Sequence, residues 1–370
     1  MAKLFLFFLL VVVAVGAWLW NAIERPYQGF AANGVFVDVP HGTSSRAVAR
    51  LLERKGVVRS SIAFEIYARR HPRRSLQAGE YFFDHAIAAH DVFWKLANGE
   101  VYEQPFTVRE GETMFDIAHE LEGAKFMSAE EFLKAASDAT LIHDVAPRAA
   151  TLEGFLFPAT YHLPRSPVAT ELTAEMVRKF KEEWAGITGP ETAADKAMAA
   201  DGRPVSSVVT LASLVERETP KPEERPLVAG VFENRLRKDI ALQCDPTVIY
   251  ALERSKKYRG TLTLTDLRFD SPYNTYVHTG LPPGPIGNPG EMSLRAALHP
   301  AQTDYFYFVA NTQGGHFFSS TLAEHNNNVL KYRRLLGGAA AAAPDPAINE
   351  KKPQPHDGRN GHKSHKGATR

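Results

Sequence analysis

The sequence predicts an α+β chain: a single N-terminal transmembrane helix, two small strand–turn–helix–helix units, and a larger mixed α/β domain. Three observations carry that prediction. Leu4 to Ile23 are twenty consecutive uncharged residues, LFLFFLLVVVAVGAWLWNAI. A strand–turn–helix pattern recurs between Val35 and Ala136 at an offset of 69 residues. From Thr151 onward the texture changes to aromatic strips, one almost wholly apolar helix and a long Pro/Gly run.

The first element follows from length. About 20 apolar residues at 1.5 Å each cross a hydrocarbon core of about 30 Å. Residues 1–3 then form a cytoplasmic stub and residues 4–23 the transmembrane helix. Only Lys3 and the amino terminus precede the span, so the bulk of the chain is expected on the extracytoplasmic side of the cell inner (cytoplasmic) membrane. Trp18 and Trp20 near the outer end suit an interfacial belt. The alternative is a cleaved signal peptide, against which stand the length of the stretch and the lack of a small-x-small site just after it. Either way the body is exported.

Composition narrows the classes. The chain has 370 residues, 44% of them hydrophobic, and a formal charge of +1. It can bury two or three cores, and it lacks the basic face that nucleic-acid binding requires. One cysteine, Cys244, excludes an intrachain disulfide; followed by Asp245-Pro246, it reads as a small buried residue rather than a nucleophile. Residues 337–370 are Ala, Pro, Lys, His and Gly with few large apolar side chains, and are expected to be disordered.

The repeat comes next. Val35-Phe36-Val37-Asp38-Val39 alternates as a strand, then Pro40-His41-Gly42-Thr43-Ser44 turns into a helix with Ala47, Val48, Leu51 and Leu52 on one face. In the second copy Phe106-Thr107-Val108 leads through Gly111 to a helix carrying Ile117, Ala118 and Leu121. Thr113 with Asp116 can cap that helix reciprocally, and Ser128 with Glu131 can cap the next. Glycine suits the shared bend because it tolerates positive φ. The units are placed at residues 33–104 and 105–150. TVREGETMFDIAHEL in the second copy resembles the LysM glycan-binding module, with Glu112 where that family usually has Asp. The resemblance implies binding of N-acetylglucosamine polymers; the residues equally allow a βα unit kept as a spacer.

The third region, 151–336, opens with LEGFLFPATYHL, which carries one acid, Glu153. A helix is predicted around Thr170 to Trp184. Pro204 to Thr219 follows, with Val205, Val208, Val209, Leu211, Ala212, Leu214 and Val215 making it apolar almost all round, so this helix is expected to be buried. Ser206, Thr210, Ser213 and Arg217 form a narrow polar stripe. Glu216 lies beside that stripe, in line with Val209 and Ala212; Glu218 lies in line with Leu211, Leu214 and Val215. A carboxylic acid at the end of such a helix suits acid catalysis, because desolvation raises its pKa and leaves a proton to give. Both glutamates can equally sit past the last buried turn, in water or paired with Arg217, and periodicity does not choose between them. Tyr273-Asn274-Thr275-Tyr276 and the Pro/Gly run Leu281 to Gly290 read either as a cleft wall or as a structural loop. Asp245-Pro246 most simply starts a helix, with Asp245 as N-cap. Tyr305 to Ala310 and His316 to Ser319 pair as strands, and Thr321 with Glu324 caps a last helix ending at Gly337. The histidines are not at metal-ligand spacing, and no cofactor or metal motif is present.

LASLVERET, VAGVFENRL, LQCDPTVIYAL, SPYNTYVHTGLPPGPIGNPGEMSLRAALHP and YFYFVANTQGGHFFSSTLAEHN occur in that order. In this they resemble the MltG (YceG-like) endolytic murein transglycosylases, over essentially the whole chain after the span. The resemblance implies cleavage of the β-1,4 bond between N-acetylmuramic acid (MurNAc) and N-acetylglucosamine (GlcNAc), with formation of 1,6-anhydroMurNAc. It also implies termination of nascent strands near cell-wall synthases or the division machinery. Glu216 stands where the family's catalytic glutamate is expected, acting as acid and then as base. Glu153, Tyr273, Asn274, Tyr276 and Asp245 are the candidate substrate-binding residues. Two other functions stay open. One is a non-catalytic peptidoglycan-binding scaffold for cell-wall synthases; the other is a hydrolase pairing Glu216 with Glu218 or Glu153.

Overall fold

Leucine, valine and phenylalanine almost without interruption give the first helix, α1, over Ala2–Glu24. It is long and apolar enough to cross a membrane. The computed structural model describes residues 1–189, 199 and 202–336, so the tail expected to be disordered lies outside the described residues. The chain divides into two compact units, one of residues 1–138 and 156–180, the other of residues 139–155 and 181 onward.

In the first unit, the predicted strand–turn–helix–helix pattern forms twice, and each copy is closed by a further strand. The first runs β1 (Val35–Val39), α2 (Ser45–Arg54), α3 (Ser61–Arg69) and β2 (Gly79–Phe83), followed by α4 (Ala89–Asn98). β1 and β2 pair antiparallel from Val35 opposite Phe83 to Val39 opposite Gly79. Val37, Val48, Leu52, Phe64, Tyr81, Val92 and Leu96 fill one core between sheet and helices. The last turn of α1 is docked too: Ala22 and Ile23 are buried against Ala63.

The second copy runs β3 (Gln104–Thr107), α5 (Met114–Gly123), α6 (Ala129–Ala136) and β4 (Thr160–Leu163). The capping box of Thr113 and Asp116 forms at the start of α5, and Ser128 accepts the Glu131 N–H at the start of α6. Gly42 and Gly111 both take positive φ, 75° and 81°, as the shared bend requires. The expected boundary at 150/151 is not where the structure divides. β3 needs an antiparallel partner, and it finds one in β4, with Phe106 opposite Tyr161. Residues 156–180 therefore belong with the first unit, while residues 139–155 belong with the second. α7 (Ala169–Thr188) carries Leu172, Met176 and Phe180 on one buried stripe.

The second unit is built around α8 (Val205–Glu218). Every position from Val208 to Val215 is buried, which leaves that stretch of the helix no solvent face. α8 packs against α9 (Arg225–Arg237), α10 (Asp245–Arg254) and α11 (Glu291–Leu298). Its polar stripe is used inside the protein. The Ser213 hydroxyl accepts the Ile286 N–H at 3.0 Å and donates to the Thr210 carbonyl at 2.7 Å. The Pro/Gly run 281–290 is thereby tied along the helix. β5 (Tyr307–Ala310) and β6 (His316–Ser319) pair antiparallel, and α12 (Leu322–Leu335) starts at the expected Thr321–Glu324 capping box.

Candidate active site

The two glutamates at the end of α8 fall into different environments. Glu216 is the clamped one. One carboxylate oxygen meets the Arg225 guanidinium at 2.6 Å, both side chains being buried, and the other accepts the Gly290 N–H at 2.9 Å. A cation and a backbone donor thus engage both carboxyl oxygens. The sequence allows Glu216 either as a buried acid or as an ion-paired one, and the structure gives it a buried pairing with Arg225. It joins the end of α8 to the start of α9 and the N-terminus of α11.

Glu218 is placed differently. It is half-buried as a residue, but its carboxyl group lies far enough inside that burial pushes its pKa up from 4.5 to about 7. The nearby Asp245 charge adds to the rise, while a hydrogen bond from the Cys244 thiol and the Arg235 cation oppose it. Such a group carries a proton for part of the time at neutral pH. Once ionised, it keeps the thiol and the cation as partners.

Around Glu218 the sequence from Gln243 to Thr247 is held from several sides. The Cys244 N–H donates to the Thr275 hydroxyl at 3.0 Å and the Thr247 hydroxyl donates to the Cys244 carbonyl at 2.6 Å. The buried Arg235 donates to the Ala241 and Leu242 carbonyls. Gln243, at φ 53°, is a non-glycine residue in the left-handed region. Strain of that kind persists only where neighbours over-determine it, and here those neighbours deliver Cys244 and Asp245 to Glu218. Cys244 is buried as expected, with burial raising its thiol well above the ordinary value.

Asp245 does not cap α10. It is the first helical residue, the N-cap is Cys244, and no side chain caps the helix. The Asp245 carboxylate accepts the Tyr276 hydroxyl at 2.5 Å instead. Burial and that hydrogen bond push the Tyr276 phenol up, and the Glu218 charge contributes. Asp245 is exposed, so the cluster of Glu218, Cys244, Asp245 and Tyr276 reaches solvent on that side.

The other predicted residues lie elsewhere. Asn274 is fully buried and spent on the backbone: its amide donates to the Leu267 and Phe269 carbonyls at 3.0 and 2.8 Å, and its oxygen accepts the Tyr276 N–H. It shapes the loop and has no face for a ligand. Glu153 is 2% exposed, and the Asn288 amide donates to it at 3.3 Å. Asn288 also accepts the Gly154 N–H. Gly154 must be glycine twice over: φ is 86°, and a Cβ would fall 2.4 Å from Pro285. Glu153 and Tyr273 line a separate cavity of about 680 Å³.

Sequence reasoning missed Arg225 and Arg235. They come from α9, and spacing within one helix carries no information on what a second helix brings to it. The position of Glu218 on the line of Leu211, Leu214 and Val215 was the available signal for its burial.

The YceG-like family matches residues 37–331. A relative from Bacillus subtilis (strain 168), named endolytic murein transglycosylase, is 33% identical over 315 residues, covering 81% of this chain and 85% of its own length. One of the same name from Streptococcus pneumoniae serotype 2 (strain D39) is 30% identical over 345 residues. That match covers 84% of this chain and 61% of the longer protein. The crystal structure of a yceG-like protein from Listeria monocytogenes aligns with a TM-score of 0.53 at 33% identity, covering 80% of this chain and 99% of that one. The chain belongs to the YceG-like family.

Proposed function

We propose that this chain is an endolytic peptidoglycan lytic transglycosylase whose acid and base is Glu218. The observation that carries the assignment is a carboxyl group held near pKa 7 at the end of a buried helix, in a chain whose relatives bear that enzyme name.

The reaction needs one carboxyl group. Glu218 gives its proton to the glycosidic oxygen between MurNAc and GlcNAc, and the bond from the anomeric carbon to that oxygen breaks. The resulting carboxylate takes the proton of the muramic C6 hydroxyl, whose oxygen bonds to the anomeric carbon of the same sugar and closes the 1,6-anhydro ring. No water is consumed, and Glu218 ends protonated as it began. Proton transfer by a placed group contributes about 10²–10⁴ in rate, and an attached nucleophile supplies several kcal/mol more through positioning. Tyr276 and Asp245 stand beside the carboxyl group and are the proposed polar partners of the cationic transition state.

The remaining assignments are proposed with their support. The docked last turn of α1 supports a retained membrane anchor rather than a removed signal, with the body outside the cytoplasmic membrane. The βααβ order of both small units, and their shared glycine bend, support a glycan-holding role. Together these favour action on strands near the membrane, where synthases make them. Replacing Glu218 by Gln is expected to lower formation of anhydro ends from purified sacculi at least about 10³-fold with the fold intact. Anhydro products at the wild-type rate would falsify the assignment.

A further inference from the structure

The cavity of about 680 Å³ lined by Glu153 and Tyr273 is not the Glu218 cluster. It receives Ser206 from the first turn of α8, whereas Glu218 ends that helix. About twelve residues at 1.5 Å each separate them by roughly 18 Å along the axis.

Its walls are built for a ligand that is part polar and part flat. Pro283, Gly284 and Pro285 form one wall, fixed because the run is tied to α8 through Ile286. Tyr273 packs against Tyr250 with ring centroids 5.0 Å apart, and the Arg254 guanidinium lies over Tyr273 at 5.4 Å. Arg148 stands at the rim with Arg254, and both are exposed. Among the described residues neither guanidinium is paired with a carboxylate. The acids of the cavity form no ion pair with them. Glu153 is engaged by Asn288, and the exposed Asp270 lies 3.6 Å from His278. The rim therefore offers two guanidinium groups, neither in an ion pair with a carboxylate, beside an aromatic face. That is the recognition chemistry of a carboxylate on a short peptide.

We propose that this cavity is a second substrate subsite, which takes the carboxylate-bearing peptide stem attached to a muramic residue away from the bond being cut. The proposal rests on the transglycosylase reading for its substrate, and it makes the protein a reader of peptide-bearing strands rather than of bare glycan. Arg148 and Arg254 hold the carboxylate, and Tyr273 supports the peptide plane.

The test measures binding of peptide-bearing glycan strands, and of the same strands stripped of peptides by an amidase. Both use the full chain in detergent with Glu218→Gln to limit turnover. The parent should bind peptide-bearing strands about tenfold tighter, the worth of one charge-assisted hydrogen bond to the stem. Arg148→Gln with Arg254→Gln should bring that ratio close to one, and Arg254→Lys alone should retain part of it. Equal binding of both strands by the parent, or an unchanged ratio in the double variant, overturns the subsite. The transglycosylase reading is judged separately, by whether the wild-type chain makes anhydro ends, so the two can fail independently.

Discussion

Two carboxyl groups two residues apart on one helix are given opposite tasks by their neighbours. Glu216 is matched with Arg225 and a backbone donor, whereas Glu218 is desolvated with weaker compensation. The consequence for pH is directional. Folded Glu218 keeps its proton up to about pH 7, while in the unfolded chain it loses it near 4.5. Below pH 4.5 both states are protonated and its burial carries no electrostatic penalty. Between 4.5 and 7 only the unfolded state releases the proton, so stability falls as pH rises, by roughly 3 kcal/mol at most. Glu218→Gln removes that penalty. The variant should therefore gain thermal stability over wild type at about pH 8, and most of the gain should vanish at about pH 4.5 in paired melting curves. Wild-type activity should decline as pH rises through about 7, because the proton donor is lost. Arg225→Ala should act differently. It strips a close cation from a buried carboxylate and should cost roughly 3–5 kcal/mol in chemical denaturation, lowering stability and activity together. The sequence alone placed Glu218 on the buried line of α8 but could not rank it against Glu216, since the deciding charges come from α9 and from the turn before α10.

At the level of elements, the helices were well marked by their caps. Thr113 with Asp116 and Thr321 with Glu324 form the reciprocal boxes read from spacing. Thr321→Ala should cost about 1 kcal/mol, seen as a small fall in denaturation midpoint. Strand closure was less legible. Thr107 at the end of β3 and Thr160 at the start of β4 are 53 positions apart, and local alternation says where a strand is but not whom it pairs with. That is why the expected boundary at 150/151 fell short of the strand that completes the first unit. The polar stripe of α8 was visible as a stripe, yet its use by the Ile286 N–H was not, because the partner lies in irregular chain. Helix packing gives its own prediction. A Cβ on Gly230 of α9 would lie 2.4 Å from the Ala301 carbonyl oxygen, and that segment is itself held by the Ala301 N–H on the Pro226 carbonyl at 2.9 Å. Gly230→Ala should therefore destabilise by about 1–3 kcal/mol, readable as a drop of several degrees in Tm.

The whole molecule joins an apolar helix fit to hold the chain at a membrane, two βααβ units, and a unit in which a buried helix ends on a carboxyl group with a raised pKa. The most direct measurement is the mass of the new glycan ends released from purified sacculi by the wild-type chain and by Glu218→Gln and Glu216→Gln. The wild type should give ends one water lighter than hydrolysis would leave, Glu218→Gln none above background, and Glu216→Gln a measurable remainder per folded molecule. Ends carrying the added water, or anhydro ends undiminished when position 218 can no longer give a proton, would contradict the Glu218 transglycosylase assignment.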